Sequence, residues 1–211
     1  MTLMSEPSPE AAPPETMSKR AARGRATREQ LIEVATRLFA ARGYEDTSIE
    51  DVLAAAGVSR GALYHHFAGK DALFEAVVES VENGVMTTLA AVGGDEPDAV
   101  ARLKAVALAW IGMAGDPVIQ RVILLDGPSV LGLERWYDPE QQRAFGAMCV
   151  LLRGISDEGR LAPELVTPFA HMILGAMDEM AIVVARAPDP AVAAADARPV
   201  VEELLTRLLA G

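Results

Sequence analysis

The sequence GVSRGALYHHFAGKDALF, residues 57–74, strings together a small-residue turn, a serine cap and a short helix with a polar outer face. Gly57 suits a tight turn, and Ser59 suits an N-cap because its hydroxyl can accept from a free backbone N–H of the first turn. Val58 and Leu63 fall on the inward side of a helix that runs to about His66, leaving Arg60, Gly61, Ala62, Tyr64, His65 and His66 for the outside and the flanks. Upstream, Thr47 or Ser48 caps a helix whose apolar positions are Ile49, Val52, Leu53 and Ala56. Before that, Leu31, Ile32, Ala35, Leu38 and Phe39 form the stripe of a first helix, opened by Thr27 with Gln30 as a capping box and closed by Gly43. Three helices within about forty residues, the last two joined by a glycine turn, match a helix-turn-helix. Downstream, Asp71 caps a long helix to about Ala91, which Gly93, Gly94 and Pro97 end. Five or six more helices follow, with breaks near Asp116 and Pro117, Gly127 and Pro128, Asp138 and Pro139, 159–163 and 188–190. No stretch sustains a period of two with β-branched residues. The fold class is therefore all-α, a three-helix helix-turn-helix unit followed by a larger helical body.

The polar face of the third helix suits duplex DNA. Gly61 and Ala62 are small, so the backbone can approach a groove closely. Arg60 stands at the helix N-terminus, where recognition helices address base edges, and its fork can pair with guanine O6 and N7. Tyr64 and one or both histidines can donate to phosphate. Lys70 and the N-terminus of the next helix offer a second phosphate site from charge and free amides together. The competing role for Tyr64 is structural, with its ring packed on the helix and its hydroxyl in water. Zinc binding by His65 and His66 would need two more ligands, and the third histidine, His171, is far along the chain, so no metal is expected.

Charge is distributed unevenly over the 211 residues. The net value of −11 hides a segment, residues 18–70, with nine Lys/Arg against six Asp/Glu, on a remainder, residues 71–211, with ten against 21. Such polarity points to nucleic acid at the basic end and repels phosphate from the rest. Residues 1–17 hold Pro7, Pro9, Pro13 and Pro14 among Ser, Glu and Ala, which predicts a disordered start. Lys19, Arg20, Arg23, Arg25 and Arg28 follow, either as a solvated arm or as one that reaches DNA. The expected division is an arm over 1–24, the DNA-binding unit over 25–70 and the body over 71–211. Cys149 is the single cysteine, which excludes an intrachain disulfide. No run free of charged, amide and imidazole side chains is longer than the 11 residues of 105–115. A spanning helix needs about 20, so no membrane partner and a cytoplasmic location are expected.

Residues 27 to about 80, above all TSIEDVLAAAGVSRGALYHHFAGKDALFEAV, resemble the DNA-binding domain of the TetR family of bacterial regulators. That resemblance implies three DNA-binding helices and a six-helix body for ligand and dimer. It places Thr47 and Ser48 on phosphate from the start of the second helix, with Ser59, Tyr64, His66 and Lys70 also on the backbone. It places Arg60, Gly61 and Ala62 on bases, and His65 where relatives often carry a phosphate-facing aromatic. Residues 124–136 resemble the body of one branch of the family. The partners implied are double-stranded operator DNA, a second copy of the chain and a small-molecule effector, with no cofactor.

Within the body, residues 167–187 form a helix that is apolar nearly all round, with Thr167 as cap and Pro168 as first residue. Such a helix must be covered on more than one side. Residues 190–210 form the last helix. Val200, Val201, Leu204, Leu205, Leu208 and Leu209 make a wide stripe, which is plain core or, as the resemblance implies, part of a four-helix dimer seam. Pro199 either kinks this helix or begins a separate segment. Trp110, Met113, Trp136, Tyr137, Phe145, Met148, Cys149, His171 and Met172 are the candidate effector-lining residues, and ordinary core packing is the competing role for each. The rival function is a helical small-molecule carrier or enzyme without DNA regulation. It lacks support from any nucleophile elbow, phosphate loop or metal motif, and leaves the basic helix unexplained.

Overall fold

The computed structural model describes residues 14–94, 96–132 and 140–209, and no strand occurs among the described residues. Helix α1 (Pro14–Arg42) begins much earlier than the pattern at Thr27 suggests, so residues 14–24 are helix rather than disordered arm. The stretch 18–26 is rich in Ala and Arg, both strong helix formers. Thr27 lies inside α1, donating to the Arg23 carbonyl at 3.0 Å. Gln30 donates instead to the Ala56 carbonyl at 2.9 Å, a tertiary bond between α1 and α2 (Ile49–Ala56) in place of the expected capping box.

Helix α3 (Arg60–His66) is followed by α4 (Lys70–Gly94), which starts before Asp71 and puts that residue inside its first turn. Helix α5 (Ala99–Met113) is capped by Asp98, which accepts the Ala101 N–H at 2.8 Å. Asp116 then accepts from Val118 and Ile119 at 2.8 and 3.2 Å, opening a run of helix over 117–131. That run includes a π-helical segment, Ile119–Asp126, and continues as α6 (Gly127–Leu131), so the expected break at Gly127 and Pro128 is absent. Pro128 sits where the π pattern gives way to the α pattern, and the change of register takes up its missing N–H.

The remaining helices are α7 (Glu140–Asp157), α8 (Val166–Ala185) and α9 (Pro190–Leu209). Helix α8 grows out of a 3₁₀ turn, Pro163–Leu165, so Thr167 lies inside it and does not cap it. Helix α9 is one helix through Pro199. The stretch Pro163–Ala185 is apolar and long enough to cross a bilayer by length and composition, yet Ala170, Ile173, Met177, Ala181 and Val184 are buried in the chain.

One apolar core joins the N-terminal head to the body. Leu31, Phe39, Val52, Leu63 and Phe67 fill the head, Leu73, Phe74 and Val77 of α4 continue it, and Leu103, Ile111, Leu152, Ile155, Ile173 and Leu205 fill the body. At the joint, Phe74 meets Phe39 and Tyr44 edge-on at 5.1 and 5.0 Å. Helix α4 begins in the head and runs into the body without a break.

Candidate nucleic-acid interface

Two serine caps set the second and third helices. The Asp51 N–H donates to Ser48 Oγ at 3.1 Å, while the Ser48 N–H donates to the Asp51 carboxylate at 2.9 Å. The Ser48 hydroxyl also donates to that carboxylate at 2.6 Å, and this bond first, then the Ser48 N–H, hold the Asp51 carboxyl below the usual carboxylate range, with Arg42 adding to the effect. The Ala62 N–H donates to Ser59 Oγ at 3.3 Å. Between the helices Gly57 adopts φ of 64°, which a side chain would strain, and its N–H closes α2 on the Leu53 carbonyl.

Leu63 is fully buried and Phe67 nearly so, and together they pin α3 to the head. Ser48, Ser59, Arg60, Gly61, Tyr64 and His65 are exposed, while Ala62, His66 and Lys70 are half-buried. A Cβ at Gly61 would meet nothing within 4 Å, so this part of α3 offers its backbone to a partner. Thr47 departs from expectation. It is buried, and its hydroxyl donates to the Gly43 carbonyl at 2.8 Å, which corrects its assignment as a phosphate contact.

The cations of this surface are held in different ways. Arg60 is paired with Glu50. Lys70 lies 4.0 Å from the centre of the Tyr44 ring and donates to the Glu45 carbonyl at 3.4 Å. Tyr44 donates to Asp71; burial, and then that carboxylate, push the phenol far above its ordinary value. Arg28 lies over the Phe67 ring at 5.4 Å. His66 faces His65 with ring centres 5.0 Å apart, and Gly24 of α1 passes beside it. Burial, and then the charges of His65 and Arg28, hold the His66 imidazole below its ordinary value. Lys19, Arg23 and Arg25 are exposed along the N-terminal turns of α1.

A second connection, invisible to periodicity, ties the head to the body. The Tyr44 N–H and the Arg121 guanidinium donate to the same Asp126 carboxylate oxygen at 2.7 and 3.1 Å. Gly43, at φ of 84°, lies beneath that guanidinium, and a Cβ there would collide with it. The π-helical segment thus clasps the turn between α1 and α2.

The candidate effector residues are not gathered around one space. Phe145 and His171 stack at 4.3 Å between α7 and α8, and Met148 and Cys149 are core. Met172 is 62% exposed on the outer side of α8, which corrects its placement in an internal pocket. Met113 instead borders an open groove of about 890 Å³ between α1 and α4, whose wall also carries Arg28, Glu33, Asn83 and Asp116. Trp136 and Tyr137 lie outside the described residues. The Trp110 indole N–H is buried without a hydrogen bond, close to the Asp178 carboxylate. Asp178 keeps part of its side chain at the surface, yet crowding by the surrounding protein pushes its pKa up to about 6, against a lowering influence from Trp110.

Comparison with known proteins agrees with this geometry. Residues 31–77 match the profile of the bacterial regulatory proteins of the tetR family, and residues 100–208 match that of the tetracyclin repressor-like C-terminal domain. A TetR-family transcriptional regulator of known structure from Pectobacterium atrosepticum is 32% identical, with a TM-score of 0.80 over 90% of this chain and 97% of that one. The HTH-type transcriptional regulator AcrR of Shigella flexneri is 42% identical over 59 residues, 28% of this chain and 27% of that protein. The nucleoid occlusion factor SlmA of Escherichia coli O1:K1 is 28% identical over 109 residues, 51% of this chain and 55% of that protein. The chain thus spans about a quarter to half the length of these curated relatives. With both profiles matched and a helix-turn-helix carried on an all-helical body, this chain belongs to the TetR family of transcriptional regulators.

Proposed function

We propose that this regulator binds a pseudo-palindromic operator as a homodimer, acts as a repressor, and is released by a small apolar or amphipathic effector. The observation that carries the DNA assignment is α3: a short helix anchored by Leu63 and Phe67 that presents Arg60, Gly61, Tyr64 and His65 to solvent. Ser48, Ser59, His66 and Lys70 serve the phosphate backbone, and Arg60, Gly61 and Ala62 face bases. Residues 25–70 act as the reading head and 71–211 as the body, with the exposed cations of α1 extending the head's positive surface.

Dimerisation is supported by apolar surface on the last two helices. Met172 and Val183 of α8, and Val192, Val200 and Leu204 of α9, are each 45–62% exposed, although α8 is apolar nearly all round. A second copy of the same face covers them without a membrane. The α4 continuity and the Asp126 clasp support a switch in which the body moves the head. Release by about 100-fold requires effector affinities for the two forms that differ by about 2.7 kcal/mol. This function is one of binding in the cytoplasm rather than of turnover.

The direct test is selection of duplexes from a random-sequence pool by the purified chain. It recovers inverted repeats with half-site centres about one helical turn apart, or somewhat more if two dimers bind. Recovery of no enriched sequence contradicts the assignment.

A further inference from the structure

We propose that Glu50 is a positioning residue for Arg60, and that it sharpens discrimination between DNA sequences by keeping the Arg60 guanidinium away from phosphate; this rests on the DNA-binding function proposed above. The first turn of α2 carries two acids, Glu50 and Asp51. Asp51 is committed to the cap with Ser48 and approaches Arg42 at 3.6 Å. Glu50 is outside the cap. Its Oε1 instead takes Nη2 of Arg60, the first residue of α3.

Both side chains are about 60% exposed, at 60% for Arg60 and 63% for Glu50. Such pairs add little to folding. A carboxylate on the side of the head that meets DNA also repels phosphate of every sequence. Folding draws on Glu50 only through the modest attraction of a first-turn acid to the helix N-terminus, and general affinity not at all, so an effect on sequence preference must pass through Arg60.

Arg60 is the sole Lys or Arg of α3. An arginine carries five donors in a planar fork, and one carboxylate at Nη2 leaves donors free for guanine O6 and N7. An unrestrained guanidinium is drawn to the nearest phosphate, a contact that carries no sequence information. Arg37 and Arg42 of α1 also meet acids, Glu33 at 3.3 Å and Asp51 at 3.6 Å, but the cations assigned to phosphate are not restrained in this way. Lys70 rests on a ring and a carbonyl, and Lys19, Arg23 and Arg25 are exposed and meet no acid among the described residues. Among the described residues, the cations assigned to the DNA backbone thus meet no carboxylate, and the base-reading one does.

The test uses the full chain, the duplex that it selects from a random pool, and the same duplex with both half-sites scrambled. Four variants are compared with wild type: Glu50→Gln, Arg60→Ala, the double variant, and Glu45→Gln, which removes an equal charge from an exposed neighbouring site. Glu50→Gln is expected to bind the scrambled duplex about fivefold to tenfold tighter, with little gain on the selected one, so the ratio of affinities falls by that factor. Glu45→Gln is expected to shift both duplexes alike. In the Arg60→Ala background, Glu50→Gln is expected to leave the ratio unchanged. The inference is overturned if Glu50→Gln moves both duplexes by one factor, as Glu45→Gln does, or if its effect on the ratio persists without Arg60. It also falls if wild type selects no sequence, a result that removes the DNA-binding assignment with it.

Discussion

Helix α3 shows solvent Arg60, Gly61, Tyr64 and His65 and no large aliphatic side chain, whereas α8 shows it Met172 and Val183 beside His171, Asp178 and Glu179. Helix α3 buries Leu63 and α8 buries a longer apolar stripe, and they differ in what the opposite side presents. A polar, small-residue side with a capped N-terminus fits a hydrated, charged partner such as a DNA groove. An apolar side fits another protein surface. The head thus keeps polar side chains in water, and the body leaves apolar side chains incompletely covered.

The contrast fails first, and by the largest margin, if the outer face of the body is dispensable. Val200→Glu with Leu204→Glu puts two charges into the proposed seam, while Val201 and Leu205 still fill the core of each protomer. The account predicts a folded monomer that loses about a thousandfold in operator affinity, because one head alone holds one half-site. Sedimentation velocity checks the monomer, and an intact dimer places the interface elsewhere.

Within the head, base and backbone contacts should separate. Arg60→Ala costs about 1–3 kcal/mol at one base pair of each half-site and relaxes preference there. Lys70→Ala weakens all duplexes alike and flattens the salt dependence. Equal losses on every duplex for both variants would merge the two roles. At the joint, Asp126→Ala leaves the Tyr44 N–H and Arg121 without their acceptor, at a cost of about 1–3 kcal/mol in chemical denaturation. A midpoint equal to wild type would show that the clasp does not hold the head.

A smaller effect concerns pH. Burial, His65 and Arg28 hold His66 below its ordinary value in the free chain, and phosphate beside it favours the charged ring. Its pKa therefore rises on binding, protons are taken up, and affinity increases as pH falls from neutral to below the ordinary imidazole range. His66→Gln removes the gain. A flat profile in wild type would place His66 away from phosphate.

The head was largely legible because its determinants are local. Ser48, Gly57 and Ser59 act within three or four residues of their own positions, so their spacing carries the geometry. Thr47 departs from its expected place because a hydroxyl near a helix start can cap outward or bond inward, and only packing against Gly43 decides which. The start of α1 was missed because the Thr27 and Gln30 pattern is satisfied equally by a bond to Ala56, 26 residues away. The clasp and the Glu50 pair were invisible for the same reason, since Tyr44 and Asp126 are 82 residues apart. In the body, apolar periodicity gave helices but could not say which apolar residue faces core, partner or effector. Met148, Met172 and Met113, alike in composition, turned out to face three different surroundings.

The most direct measurement of the central claim is sedimentation of the chain with its selected duplex across a range of salt. The account predicts two copies of the chain per inverted repeat, or four where two dimers bind. With about four phosphates neutralised per subunit, a dimer gives a log–log slope of affinity against salt near −7. One copy per duplex, or a slope near zero, would contradict it.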